Sequence, residues 1–178
     1  MNFVRVELAQ SEELIRVCAE SFSDSEGEAS GAEIASLVKD LLRYFDEERA
    51  EGFAAVEEGS FIGAIVFSEL MLADGTQASL LSPVAVRTDK QSTGVGQQLI
   101  RHGLQQLSEE GADVVFTYGD PAYYSRFGFL PMEETQVAGP YPLSLPHGWQ
   151  ALSLQGNDLA VLQGSVRCVE AFAKPGLW

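Results

Sequence analysis

The chain of 178 residues is 46% apolar and 21% charged, a balance that supports one sizeable core and excludes a disordered or fibrous chain. Its net charge of −15 repels a phosphate backbone and no basic run offsets it, which argues against nucleic acid as a partner. The opening MNFVRVELAQ alternates apolar and polar side chains, and no later run reaches the roughly 18 apolar residues of a membrane span, so the expectation is a soluble cytoplasmic protein that does not engage a membrane.

Val4, Val6 and Leu8 alternate with Arg5 and Glu7, the pattern of a half-buried first strand. Ser11 as N-cap, Glu12 and Glu13 at the positive end of the dipole, and the stripe Leu14, Cys18, Phe22 predict a helix to about Phe22. Cys18 on that stripe reads as a small core hydrophobe, and neither Cys18 nor Cys168 has a histidine at ligand spacing, so no metal site or disulfide framework is expected. The polar stretch SDSEGEASG breaks the helix. Ser30 with Glu33 reads as a capping box for a second helix over 31–49, with Ile34, Leu37, Val38, Leu41, Leu42 and Phe45 on one face. Residues 53–57, 61–72 and 76–86 read as an antiparallel meander with turns at Glu58 to Ser60 and at Asp74-Gly75. Pro83 cannot donate to a ladder, so one side of the third of these strands is expected to be unpaired there, as at an edge, bulge or splay.

The next segment, DKQSTGVGQQLI, leads into a third helix with Val95, Leu99, Ile100, Leu104 and Leu107 on one face and Gly111 as its stop. ADVVFTYGD is a short buried strand, expected to run parallel to the strand ending at Val86. Asp120 before Pro121 caps a short helix, PAYYSRFG, closed by Gly128. Three weaker strands are read at 129–137, 149–154 and 165–172, between loops containing Pro140, Pro142, Pro146 and Gly148. The whole chain, 1–178, reads as one mixed α/β domain, with a core over about 3–137 and added strands and loops over 138–178.

A loop between a strand and a helix start gathers backbone N–H groups at the positive end of a dipole, and glycines at 94 and 96 let an anion approach them. The loop also lies in a locally positive stretch, since residues 83–104 carry Arg87, Lys90 and Arg101 against Asp89, whereas residues 12–58 carry fourteen acids against four bases, a net of −10. The acidic stretch reads as solvated helix faces, or as an attractor for a cationic substrate. A Walker loop needs four residues between its glycines and a following Gly-Lys-Ser/Thr, which are absent. A dinucleotide fingerprint needs Gly or Ala where the chain has Leu99.

Gln91, Gly94 and Gly96 do match the acyl-CoA loop of the GCN5-related N-acetyltransferases: Gln or Arg, two residues, Gly, one residue, then Gly or Ala. LSPVAVRTDKQSTGVGQQLI resembles that family's fourth strand, pyrophosphate loop and third helix, and YYSRFGF its late aromatic signature. The element order follows the family over about 3–137, and GDPAYYSRFGF is similar to a bacterial subgroup. The resemblance implies a central, mostly antiparallel sheet flanked by helices, with a splayed parallel pair of strands into which the pantetheine arm fits. It implies acetyl-CoA as acyl donor, with the backbone of Val84, Ala85 and Val86 on the pantetheine and acetyl carbonyl. Gln91, Ser92, Thr93, Gly94, Val95 and Gly96 would hold the pyrophosphate.

It also implies direct attack of a primary amine, on a small molecule or on a protein or peptide, with Tyr124 as the acid that protonates the leaving thiolate. From spacing alone, Tyr123 and Tyr124 read as packing aromatics, and Tyr123 reads as core beside the resemblance as well. The family's strand carboxylate is missing, so Glu69, Asp120 or water stays open as the base, while His102 and His147 read as structural or exposed. No metal is implied, and the chain is expected to act alone or as a homodimer. A non-catalytic acyl-CoA-binding or sensing domain is the alternative, and a non-CoA interaction domain a third.

Overall fold

In the computed structural model, which describes residues 1–178, β1 (Asn2–Arg5) pairs antiparallel with β2 (Ala50–Glu57), Phe3 opposite Ala55. β1 stops earlier than the alternation predicts: Val6 is buried but Leu8 is exposed and opens a 3-10 turn over Leu8–Gln10. That turn holds a capping box between Glu7 and Gln10, and Ser11 becomes the first residue of α1 (Ser11–Glu26) with Gln10 at its N-cap. The buried face of α1 is Leu14, Val17, Cys18 and Ser21. Phe22 is half-buried beside it. Burial pushes the Cys18 thiol up to about 12, as befits a core residue.

The expected break after Phe22 shrinks to one residue. Gly27 adopts φ +99°, a conformation open to glycine without steric strain, and α2 (Glu28–Leu42) starts directly after it. The capping box of Ser30 and Glu33 does not form; the Ser30 hydroxyl donates to the Glu26 carboxylate at 2.8 Å. α2 also ends seven residues short of the expected 49, because the Tyr44 carbonyl accepts from the N–H groups of Arg49 and Ala50, and Phe45 packs over Gly52.

The meander is as expected: β2, then β3 (Ser60–Leu72), then β4 (Gln77–Val86). β5 (Val114–Tyr118) runs parallel to β4, with Ser79 opposite Val115 and Leu81 opposite Thr117. The sheet order is β1-β2-β3-β4-β5-β8-β6, where β6 is Leu130–Pro131 and β8 is Trp149–Ser153. β7 (Val137–Ala138) is a two-residue parallel partner of β9 (Gly164–Cys168), and β9 also pairs antiparallel with β3. The strand expected over 129–137 is thus reduced to two short pieces, because Met132 donates to Trp149 and the chain then turns through Glu133.

The chain divides into two compact units, each with its own core. One comprises Met1–Phe67 and Ser82–Gln105. Here α3 (Val95–Glu109) lays Val95, Leu99 and Ile100 into the interior, and its Gly103 faces Ile65 and Phe67. His102 stacks on Phe3 at 5.2 Å and meets the edge of Phe53, a structural role. The other unit comprises Ser68–Leu81 and Gln106–Trp178. Its core is aromatic: Phe116 stacks on Trp149 at 4.9 Å, and Trp178 packs on Tyr118, Trp149 and Phe172. The Trp149 and Trp178 indoles donate to the carbonyls of Val137 and Phe172, so neither polar atom is buried unpaired.

A Cβ at position 103 would lie 2.7 Å from both Ile65 Cδ1 and Phe67 Cε2. Gly103→Ala is therefore expected to lower stability by about 1–3 kcal/mol through overpacking, read from the midpoint of a denaturant curve at unchanged slope.

Candidate active site

Two sets of candidate residues arise, one in each unit. In the first, β4 extends past its last rung with β5, which is Leu81 opposite Thr117. Pro83 follows in a cis peptide with Ser82 and has no N–H to give. Val84 and Val86 are half-buried and Ala85 is buried. The Val86 carbonyl accepts from Ser21 Oγ on α1 at 2.9 Å and from Gln91 Nε2 at 3.1 Å. Asp24, also on α1, accepts from Thr88 Oγ1 at 2.6 Å. Helix α1 is thereby tied to both the end of β4 and the loop beyond it.

The loop is shaped by its own hydrogen bonds. A 3-10 turn covers Thr88–Lys90, the Gln91 N–H donates to the Thr88 carbonyl, and Thr93 Oγ1 donates to the Lys90 carbonyl at 2.6 Å. Ser92 takes φ +60° and Gly94 φ +89°, left-handed positions that turn the chain into α3. The Gly94 carbonyl accepts the first intrahelical bond, from Gln98 at 3.0 Å, which makes Gly94 the N-cap. The N–H groups of Val95, Gly96 and Gln97 then have no carbonyl one turn back to bond, and they gather at the positive end of the helix dipole. The positive side chains of the stretch are already matched: Arg87 makes two bonds to Asp89, at 3.0 and 2.9 Å, and Lys90 pairs with Glu57. That pairing holds the Glu57 carboxyl below its usual range and the Lys90 ammonium above its own. Potential for an anion at this loop therefore comes from oriented amides rather than side chains.

In the second unit, Asp120 caps α4 (Pro121–Tyr124), its carboxylate accepting from the Ala122 N–H at 2.9 Å. A 3-10 turn over Ser125–Phe127 continues it and Gly128 closes it at φ +92°. Tyr124 lies over Gly119, where a Cβ would come within 2.8 Å of the ring, and meets Phe129 edge-on at 5.7 Å. Burial pushes its phenol up to about 12; an interaction with the Thr117 hydroxyl opposes that rise, and Tyr123 and Asp120 add to it. Tyr123 is half-buried, with the Arg126 guanidinium over its ring. Glu69 is half-buried on β3 and already engaged by a neighbour, and His147 is exposed in a 3-10 turn.

Two polar residues that bond the β4 backbone escape a reading of the sequence. Ser21 is the one hydroxyl on the buried face of α1, and Thr117 the one polar residue among the fully buried positions of the strand VVFTY. In both cases the signal is a small polar residue inside an apolar pattern.

The family model for the acetyltransferase (GNAT) domain matches residues 3–132. The chain belongs to this family of acyltransferases. It is 33% identical over 142 residues to the uncharacterized N-acetyltransferase YjhQ of Escherichia coli, a match that covers 76% of this chain and 78% of that one. Against the uncharacterized N-acetyltransferase YhbS of the same organism, 102 residues are 38% identical, 53% of this chain and 57% of that protein. The fold matches the crystal structure of Escherichia coli YhbS in complex with CoA, with a TM-score of 0.83 over 97% of this chain and 92% of that one at 24% identity. It also matches a Brucella melitensis GNAT acetyltransferase in complex with acetyl-CoA, with a TM-score of 0.75 at 25% identity over 96% and 97% of the two chains. No helix is long and apolar enough to cross a membrane.

Ser21→Ala removes one of the two donors on the Val86 carbonyl and one of the ties from α1 to β4. It is expected to cost about 0.5–1.5 kcal/mol of stability, measured by chemical denaturation.

Proposed function

We propose that the chain, acting as one catalytic domain, transfers an acetyl group from acetyl-CoA to a primary amine. The observation that carries this reading is the start of α3: a glycine N-cap at φ +89° opens a turn of uncommitted amides at the end of the loop that follows a strand whose end has no β5 partner. A diphosphate fits such a turn, because the amides supply charge-assisted donors without a desolvated lysine. The match to the GNAT family and the acetyl-CoA bound to the Brucella relative support the donor's identity.

In this reading, Ser92, Thr93, Gly94, Val95 and Gly96 line the pyrophosphate, and Gln91 holds the loop to Val86 through its side chain. The backbone of Val84, Ala85 and Val86 takes the pantetheine arm by strand addition. Tyr124 protonates the thiolate as the amine nitrogen bonds to the thioester carbon and the carbon–sulfur bond breaks. A phenol pushed up to about 12 stays protonated across the neutral range, so the acid is always loaded. Asp120 commits its carboxylate to the Ala122 amide, which leaves Glu69 or water to deprotonate the amine. The net −10 of residues 12–58 favours a cationic acceptor, such as a polyamine, an aminoglycoside, a lysine or a peptide N-terminus. Two free cysteines suit a reducing compartment, in keeping with a cytoplasmic enzyme.

The test couples binding to turnover. Saturating acetyl-CoA is expected to raise the melting temperature, by the equivalent of about 2.7 kcal/mol at a hundred times Kd, and amine screening is expected to give free-thiol release. Tyr124→Phe is expected to lower kcat about 10²–10⁴-fold with the KM for acetyl-CoA little changed. An unchanged melting temperature contradicts the donor, a shift without thiol release from any amine favours a sensor, and full turnover in Tyr124→Phe removes its role.

A further inference from the structure

Helix α1 grips the junction between β4 and its loop at two points on one face. Ser21, buried against the core, donates to the Val86 carbonyl at 2.9 Å, and Asp24, three residues on, accepts from Thr88 Oγ1 at 2.6 Å. The Val86 carbonyl also accepts from Gln91 Nε2 at 3.1 Å, so both of its lone pairs are taken. Between the two held residues, the Arg87 N–H donates to the Ile62 carbonyl of β3 at 3.0 Å. Three consecutive residues are thus fastened to a helix and a strand where β4 gives way to the loop. The helix is itself fixed to the sheet at its other end, where the Glu13 carboxylate accepts from the Phe61 N–H at 2.8 Å.

We propose that Ser21 and Asp24 are positioning residues for the acyl donor, with α1 as the brace that fixes the spacing between the strand end at 84–86 and the amides at the start of α3. This rests on acetyl-CoA as the donor. A molecule that lies along the strand with its pantetheine arm and reaches the amides with its diphosphate is held at both ends only if the two halves of its site keep one separation. The Val86 carbonyl is the joint between those halves. Gln91 ties it to the loop, and Ser21 ties the same oxygen to a helix that belongs to neither half. A joint fixed before the donor arrives removes the ordering cost that a mobile one adds to binding. Asp24 stands against the same loop as an anion, which by charge alone disfavours an anionic donor. Its contribution is the bond from Thr88.

Calorimetric titration with acetyl-CoA reads affinity and stoichiometry separately. A purely structural loss lowers the fraction of competent protein and leaves Kd where it was, whereas a lost brace raises Kd at full stoichiometry. Ser21→Ala is expected to raise Kd about two- to tenfold, the scale of one hydrogen bond, and Ser21→Thr, which keeps the hydroxyl, to restore most of the affinity. Asp24→Asn and Asp24→Ala lose the same negative charge, so any relief of repulsion is common to both, and only asparagine still accepts from Thr88. The alanine variant is expected to bind about two- to fivefold more weakly than the asparagine one. If a Ser21 variant fails to fold, the Asp24 pair carries the comparison. The inference is overturned if Ser21→Ala keeps the original Kd, if its loss appears in stoichiometry alone, if threonine fails to restore binding, or if the two Asp24 variants bind equally. If acetyl-CoA does not bind the unaltered protein, the donor reading falls first and takes this one with it.

Discussion

Strand β4 cannot be paired along its whole length, because Pro83 has no N–H for a ladder and β5 adds no rung after Leu81 opposite Thr117. The rest of the candidate site depends on that interruption. From Ser79 to Leu81 the strand pairs in parallel with β5; from Val84 to Val86 it offers backbone groups that β5 does not use. Buried backbone that is not paired within the sheet has to be paired elsewhere. At Val86 the solution is visible: Ser21 and Gln91 both donate to its carbonyl, so the end of the strand is held by a helix on one side and by its own loop on the other.

The loop settles a conflict of charge. A chain with a net charge of −15 is a poor host for an anion if side chains have to supply the attraction, and here Arg87 and Lys90 are each matched by an acid. The first turn of α3 meets the requirement without them, since its amides carry fixed partial charges already oriented by the helix. The proposed role of Tyr124 likewise needs no buried charge at rest. A neutral phenol tolerates burial among Phe129, Tyr123 and Gly119.

Much of this is legible in the residues. The face of α3, the meander, the cap at Asp120 and the interrupted ladder at Pro83 each follow from local rules: periodicity, turn chemistry and a missing donor. Helix limits are less legible, because they are set by single tertiary contacts. Gly27 alone separates α1 from α2 where nine polar and small residues suggest a longer break, and Phe45 leaves α2 to pack over Gly52. The region after Phe129 is the least legible. Its strands are two to five residues long and are held by indole-to-carbonyl bonds and aromatic stacking between segments far apart in sequence, which no periodic pattern records. Within the candidate site, the loop glycines are readable from spacing, and Tyr124 only through the family resemblance. Ser21 and Thr117 are not, since each bonds a backbone carbonyl far away in sequence.

If the amides at the start of α3 are the groups that meet the donor's diphosphate, their resonances report it. Titrating acetyl-CoA into isotopically labelled protein and following the backbone amides is the direct measurement. The Gly94 to Gln97 amides are expected to move among the farthest, downfield as they gain a charged acceptor, and to become protected from hydrogen exchange. Saturable binding that leaves those four amides unshifted and freely exchanging would place the diphosphate elsewhere and contradict the assignment.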